Sequence, residues 1–274
     1  MRSSSASSDA VAVGPMRRSS IVWHRWPFLI HCASVVTVLA VWQLVAAFFP
    51  PSLLPGPTTV LRRVATIVVS GQFAFHMAHT LARVGIGFVC AFVVSLALGI
   101  LMGVSRTAEK FLELEILIGL TVPSLAWAVV ALMWFGIREI APVFTIFVII
   151  LPLLTVNMWQ GTKALDQDVI EMARAFRARR AQVVREVIVP QLVPYLLAAT
   201  RFGLSLAWKV AVIAEMLGIS NGIGYMIHYA FGIFSMEDVL AWTISFTLVM
   251  IVLEYGLLNP LEARITRWRR TVTL

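Results

Sequence analysis

The chain has 274 residues, of which 59% are hydrophobic and only 13% are charged, and its mean hydropathy is +0.88. This balance excludes an ordinary soluble domain, in which about 25% of residues are charged. The formal net charge of +8 does not indicate a nucleic-acid-binding protein, because the basic residues lie mainly between apolar runs and no zinc-finger spacing accompanies them.

The N-terminal segment is polar and rich in serine, and we predict that residues 1–26 form a disordered cytoplasmic tail. The apolar run that follows, 28–49, is too long for the hydrophobic part of a signal peptide and has no convincing cleavage site. It is therefore interpreted as a retained first span, and residues 27–270 as a single transmembrane domain.

Apolar runs of about 20 residues recur along the chain, and each has the length needed to cross about 30 Å of hydrocarbon. The predicted fold is an all-α membrane protein with six transmembrane helices, at 28–49, 81–104, 111–134, 140–160, 194–217 and 238–258. A shorter run, 60–69, is too brief to cross and is predicted to be an interfacial helix.

Lysine and arginine residues are distributed unequally between the two sides of this arrangement. Most of them lie in the tail, in the segments that follow spans two and four, and at the C-terminus. The opposite side keeps only Arg62, Arg63, Arg83 and Arg138. Because cytoplasmic loops carry the excess of these residues, both termini are predicted to be cytoplasmic.

Small residues recur at every fourth position in two of the spans. One stripe consists of Ala91, Ser95, Gly99 and Gly103, and the other of Ala199, Gly203, Ala207 and Ala211. Such stripes allow another helix backbone to approach closely, so the second and fifth spans are predicted to be central in the bundle.

The longest loop between spans, 161–190, is polar. Its first part predicts a helix with Val169, Met172, Ala173 and Phe176 on one face. A second amphipathic stretch, 181–189, is predicted to end at Pro190, which does not continue a helix comfortably. The residues alone leave two interpretations open, a docking element for a partner or a helix pair that lies on anionic lipid.

The order of residues in this loop resembles a known signature. It contains Glu171, Met172, Ala173, Arg174 and Phe176, followed by Val187-Ile-Val189-Pro190. This is similar to the cytoplasmic loop of binding-protein-dependent ATP-binding-cassette importers, which has Glu-Ala-Ala, a Gly where Arg177 stands here, and a later Ile-x-Leu-Pro. The resemblance implies that Glu171, Met172, Ala173, Arg174, Phe176, Arg177 and Pro190 belong to a coupling loop that docks on an ATPase subunit.

Other parts of the chain resemble the nitrate, sulfonate and taurine branch of these permeases. The matching pieces are His76-x-x-x-Thr80-Leu81-x-Arg83, Pro123-x-x-Ala126-Trp127, Trp134-Phe135-Gly136, Pro152 with Asn157 and Gly161, Arg201 with Ala207-Trp208, Ala214-Glu215-Met216, and Gly222-Ile-Gly224-Tyr225.

Three positions depart from the family pattern. Val129 and Gln167 each stand where this branch commonly has Pro, and Arg177 stands where the loop has Gly. Because Arg visits left-handed backbone less freely than Gly, the bend between the two short helices is expected to be altered or to move toward Ala178.

Three charged residues lie in the fifth predicted span. Arg201, Lys209 and Glu215 are candidates for the translocation path, although Arg201 and Lys209 are also long enough to snorkel toward the interface. Lys209 and Glu215 are about 120° apart around a helix, so their partners are expected to come from other spans or from solvent.

No phosphate-binding loop, catalytic constellation or metal-ligand set is evident; His76 and His79 are one turn apart but no further ligand accompanies them. The chain is therefore expected to be a non-enzymatic subunit without a cofactor, with ATP bound by a partner. The resemblance implies a bacterial inner-membrane location, a dimer of ATPase subunits, a periplasmic or lipid-anchored solute-binding protein, and a second permease copy or paralogue in surrounding lipid. The alternative is a stand-alone secondary transporter or channel that uses Lys209 and Glu215.

Overall fold

The structure is a computed structural model that describes residues 26–260 and residue 264, and it contains no strand within those residues. Almost all of the predicted tail, and the end of the predicted transmembrane domain, lie outside the described residues. The elements are α1 (Trp26–Ala46), α2 (Pro57–Val69), α3 (Gln72–Val104), α4 (Arg106–Thr121), α5 (Ser124–Phe135), α6 (Ile140–Lys163), α7 (Gln167–Ala175), α8 (Arg180–Gln182), a π-helix (Val183–Ile188), α9 (Val189–Met216), α10 (Ile223–Gly232), α11 (Met236–Leu253) and a second π-helix (Glu254–Leu258).

Four helices in the described residues are long and apolar enough to cross a membrane. They are Gln72–Val104, Ile140–Lys163, Arg180–Met216 and Met236–Gly256. The pair α4 and α5 would make a fifth span if it is counted as one, and α1 contains the shorter apolar helix Ile30–Ala46. An all-α membrane protein is thus confirmed, whereas the number six stays a prediction.

The centre of the bundle is α6, which packs against both α3 and α9. The two small-residue stripes lie at these contacts: Ala91, Ser95 and Gly99 on α3 are buried, and so are all four members of the stripe on α9. The predicted role of both stripes in close packing is confirmed. The sequence did not show that α6, which has no such stripe, lies between them.

A second apolar cluster joins α2 to α10 and α11 through Val60, Ile67, Ile223, Ala241 and Trp242. The helix predicted at 60–69 is therefore confirmed as a helix. The apolar face of α2 packs on protein in this cluster, whereas Arg62 is exposed and Arg63, beside that face, pairs with Asp238 of α11.

The third predicted span, 111–134, is not one straight helix. The chain leaves the helical conformation at Val122, and α5 runs at 97° to α4. Pro123 causes this break, since it has no N–H to donate to the preceding turn and it drives Val122 into extended backbone.

The prediction that a helix ends at Pro190 is wrong. The chain continues as one helix from Arg180 to Met216, with Pro190 in the first turn of α9. The π-helix that precedes it has wider turns, in which the Val189 N–H donates to the Val184 carbonyl. This wider turn accommodates a proline that lacks an N–H.

Candidate functional site

The predicted coupling loop contains a short helix, α7, that is fixed at its N-terminus. The Asp166 carboxylate accepts hydrogen bonds from the N–H groups of Asp168 and Val169, at 3.0 and 3.3 Å, which caps the helix. The Asp166 N–H in turn donates to the Gln191 side chain at 2.8 Å. These bonds attach the start of α7 to α9.

The apolar residues of α7 do not all face one way. Ile170 is buried against the rest of the chain, and Val169 and Ala173 are half-buried. Met172 and Phe176 instead project from the fold, with 55% and 82% of their surfaces exposed. The face predicted from Val169, Met172, Ala173 and Phe176 is therefore divided between an inner anchor, to which Ile170 contributes most, and an outer apolar surface.

The helix α7 ends at Ala175, and Arg177, two residues further on, adopts left-handed backbone with φ 57°. The Arg177 N–H donates to the Arg174 carbonyl at 2.8 Å, and the Ala178 N–H donates to the Ala173 carbonyl at 3.1 Å. This pair of bonds is a Schellman motif, which usually has Gly at the left-handed position. The expectation that Arg would move the bend toward Ala178 is wrong, because the bend stays at Arg177.

Replacing Arg177 with glycine is expected to stabilise this turn by about 1 kcal/mol, because left-handed backbone costs a side-chain-bearing residue about 1–2 kcal/mol. The matched control is Arg179→Gly, which removes the same charge from ordinary extended backbone with φ −64°. Hydrogen exchange of the α7 amides in the purified subunit measures the effect. Equal exchange in the two variants would contradict the strain at Arg177.

A buried ionic network joins the N-terminal part of α3 to the C-terminal end of α9, and Glu215 is at its centre. Its side chain is 0% exposed. One carboxylate oxygen accepts from the Arg83 Nη1 at 2.5 Å. The other accepts from the Thr80 hydroxyl and the Gly224 N–H, each at 2.9 Å. The partner of Glu215 thus comes from another span, as expected.

Arg83 extends this network to the loop before α6. Its Nε donates to one Glu139 oxygen at 2.5 Å and its Nη2 to the other at 2.8 Å, a bidentate pair. The guanidinium also donates to the backbone carbonyl of Asn221 at 3.1 Å and to the Asn221 side chain. The hydrogen bonds that Glu139 accepts from Arg83 hold the pKa of the Glu139 carboxyl below its ordinary value.

The same network caps α10, whose first N–H groups have no partner within the helix. The Gly222 N–H donates to His76 Nδ1 at 3.1 Å, and the Ile223 N–H donates to the Thr80 hydroxyl at 3.0 Å. Gly222 has φ 105°, a conformation that favours glycine. The start of α10 is therefore built from side chains of α3 and α9.

Three separate pieces of the sequence resemblance, 76–83, 214–216 and 222–225, meet in this network. From the sequence, Arg83 is predicted only to mark the topology and to belong to a motif. The sequence did contain a signal for the Arg83–Glu215 pair, because the two residues carry opposite charges and each lies within an apolar run.

The other two candidate path residues lie away from Glu215. Lys209 lines a cavity of about 820 Å³ between α3, α9, α10 and α11. Arg201 is nearer the N-terminal end of α9 and pairs through Nη2 with Glu254 at 3.2 Å, and Glu254 also lines the cavity. The structure therefore brings Arg201 and Lys209 to one region and places Glu215 in the buried ionic network.

This bundle of long apolar helices defines a multi-pass membrane protein. Residues 95–262 match the family described as the binding-protein-dependent transport system inner membrane component, and the chain belongs to that family. It is a permease subunit of an ATP-binding-cassette importer, and such subunits are transport components rather than enzymes.

Curated relatives support the nitrate, sulfonate and taurine branch. The chain is 30% identical over 259 residues to the taurine transport system permease protein TauC of Escherichia coli K12, covering 90% of this chain and 94% of that protein. It is 28% identical to a putative aliphatic sulfonates transport permease protein SsuC of Bacillus subtilis 168, covering 85% of each. It is 29% identical to the nitrate import permease protein NrtB of Synechococcus elongatus, covering 75% of this chain and 77% of that protein.

Solved structures share the fold. An inward-facing structure of the MetNI methionine ABC transporter matches with a TM-score of 0.61 at 16% identity, covering 69% of this chain and 94% of that chain. A structure of an amino acid ABC transporter with histidines matches with a TM-score of 0.60 at 19% identity, covering 73% and 97%. At these identities the likeness concerns the fold alone.

Proposed function

We propose that this permease subunit imports a small anionic solute of the nitrate, sulfonate or taurine type, with alternating access driven by separate ATPase subunits. The named transport roles of the relatives support this solute class. The proposed arrangement has six spans with both termini in the cytoplasm, and the uneven distribution of Lys and Arg supports that orientation.

The observation that carries the coupling proposal is the outer surface of α7. Met172 and Phe176 are large apolar side chains that project from a capped helix outside the apolar bundle. An exposed pair of this kind, with charged neighbours, suits a partner groove better than water. In this proposal Glu171, Met172, Ala173, Arg174, Phe176 and Arg177 contact the ATPase, and Pro190 links the loop to the fifth span.

The proposed assembly contains a dimer of ATPase subunits, a periplasmic or lipid-anchored solute-binding protein, and a second copy or paralogue of the permease. The chain itself would bind no ATP and no other cofactor. Family membership supports an ATPase and a binding protein in general terms.

The alternative of a secondary transporter required Lys209 and Glu215 to act as ion or proton sites. The structure does not favour it, because Glu215 is enclosed by Arg83, Thr80 and Gly224 and does not line the cavity that contains Lys209. Family membership also favours the importer.

Replacing Phe176 with serine is expected to reduce co-purification of the ATPase about tenfold or more. The reason is that an aromatic side chain that becomes buried when two proteins bind is a common hot spot of the interface. The effect of Ala173→Trp is expected to be similar, since a bulky ring would overpack a tight contact. The measurement is ATPase pull-down, together with solute uptake, from membranes that hold equal amounts of each permease variant.

The matched control is Phe234→Ser. Phe234 is also strongly exposed but lies in the turn between α10 and α11, far along the chain from the coupling loop. This control should leave ATPase recovery at the wild-type value. Wild-type recovery and uptake in both Phe176→Ser and Ala173→Trp would reject α7 as the docking helix.

A further inference from the structure

The cavity beside α9 has the size of a small-molecule site. Its volume of about 820 Å³ lies within the range of roughly 300–1,000 Å³ that is typical of ligand pockets. Most of its wall is apolar, with side chains such as Leu81, Ile213, Phe246 and Met250. A few polar groups on α9 and α11 interrupt this surface.

The polar groups on α9 are hydrogen-bond donors. Ser205 and Lys209 are four residues apart, so they lie one turn apart on the same side of the helix, and Trp208 lies beside them. Within the described part of the chain, neither the Lys209 ammonium nor the Ser205 hydroxyl makes a hydrogen bond or an ion pair. The Ser205 side chain is half-buried and the Lys209 side chain is exposed, so the Lys209 ammonium is open to a ligand.

The carboxylate among the lining residues is already engaged, and the threonine hydroxyls have donated their hydrogens to the backbone. The Thr243 and Thr247 hydroxyls donate to backbone carbonyls of α11 at 2.7 and 2.8 Å. Glu254 is the carboxylate among the lining residues, and Arg201 pairs with it. The cavity therefore has one uncompensated charge among its lining residues, and that charge is positive.

We propose that Lys209 and Ser205 form an anion-binding subsite within this cavity, which takes the oxyanion group of a sulfonate or nitrate while the apolar wall takes any carbon chain. This inference rests on the proposed function and names the residues that receive the solute inside the permease. Lys209 supplies a charge-assisted hydrogen bond to the oxyanion. A cation finds no free carboxylate among the lining residues.

The test switches the side chain at position 209 between a cationic and a neutral form. A Lys209→Cys variant, in a Cys32→Ser and Cys90→Ser background, is purified with its ATPase subunits and reconstituted in phosphatidylcholine vesicles. Aminoethyl methanethiosulfonate converts the thiol to a cationic side chain of about the length of lysine. Methyl methanethiosulfonate gives a neutral adduct, and the same preparation is thus compared in two charge states.

The readout is equilibrium binding of isotope-labelled methanesulfonate and nitrate after the reagents have been washed out. Washing matters because both reagents release methanesulfinate, an anion that would compete. The cationic adduct should bind at least one of the two anions nearly as well as wild type, and the neutral adduct about tenfold more weakly or worse. A Lys110→Met variant, which removes an exposed lysine outside the cavity, should bind as wild type does.

Two results would overturn the subsite: wild type that binds neither anion, or a neutral adduct that binds as well as the cationic one. A lipid phosphate is a second source of oxyanion chemistry, and repeating the assay with added phosphatidylglycerol tests it. If anionic lipid abolishes binding of both probes, the site is a lipid site and the solute proposal fails. Stimulation of ATP hydrolysis by the loaded binding protein is measured in parallel, since its absence in wild type would reject the importer function instead.

Discussion

Replacing Arg83 with methionine is expected to lower the free energy of unfolding by about 3–5 kcal/mol, because the Glu215 carboxylate would remain buried without its cation. Arg83 is nearly as buried as Glu215, with a side chain that is 3% exposed, so water cannot enter the site to solvate either charge. Loss of Arg83 would also remove the bidentate pair with Glu139 and the bonds to Asn221. The measurement is unfolding of the purified subunit by sodium dodecyl sulfate in mixed micelles.

The matched control is Arg63→Met. Arg63 also pairs with a carboxylate on another helix, Asp238, but its side chain is 41% exposed. Exposed pairs contribute about 0–1 kcal/mol, so this variant should unfold close to the wild-type midpoint. A loss in Arg83→Met no larger than in Arg63→Met would show that burial does not strengthen the network.

A second variant separates charge burial from simple loss of packing. Glu215→Gln keeps an acceptor for the Gly224 N–H but removes the negative charge. When Arg83→Met and Glu215→Gln are combined, most of the lost stability should return, because no buried charge is left without a partner. If the double variant is less stable than Arg83→Met alone, the cost arises from packing and not from the unpaired carboxylate.

Sequence patterns placed the long apolar helices well, because the thickness of the bilayer dictates their length whatever their neighbours are. The predicted helix ends are less accurate where polar residues of a helix make hydrogen bonds to other elements. The helix α3 begins at Gln72, two turns before the predicted start, and these extra turns carry His76 and Thr80. In a sequence, polar residues that cap another helix cannot be distinguished from the polar residues of a loop.

The bend at Pro123 and the helix α10 were missed for different reasons. Proline was a readable signal for a break, but the high hydropathy on both sides favoured one span. The helix α10 is too short to cross a membrane, and its start depends on side chains from α3 and α9. The residues of α10 and their immediate neighbours in sequence therefore do not predict where this helix starts.

At the coupling loop the sequence correctly predicted a short amphipathic helix but not which residues face inward. Ile170, which was left out of the apolar face, is the buried anchor. The resemblance singled out Arg177 as the departure from the family pattern, and the structure shows that the backbone there keeps the conformation that favours glycine. The fold thus imposes the turn, and the residue at that position bears the strain.

A substitution at Gly99 tests the central packing of the bundle. A Cβ at this position would lie 2.9 Å from the Thr155 carbonyl oxygen and 3.0 Å from the Trp159 backbone nitrogen, and it would also meet the Met158 side chain. Backbone atoms of α6 cannot turn away as a flexible side chain can, so α3 and α6 would have to separate. Gly99→Ala is therefore expected to cost about 1–3 kcal/mol despite the better helix propensity of alanine.

Gly85→Ala is the matched control for folding stability, because it lies on the same helix and a Cβ there meets nothing within 4 Å. It should leave the unfolding midpoint unchanged or raise it, since alanine favours a helix by about 1 kcal/mol over glycine. Both variants are measured in the same detergent assay, so the difference between them isolates the contact with α6. Equal midpoints would mean that α3 and α6 do not approach as closely as the stripe of small residues allows, and the central position of α6 would then have to be revised.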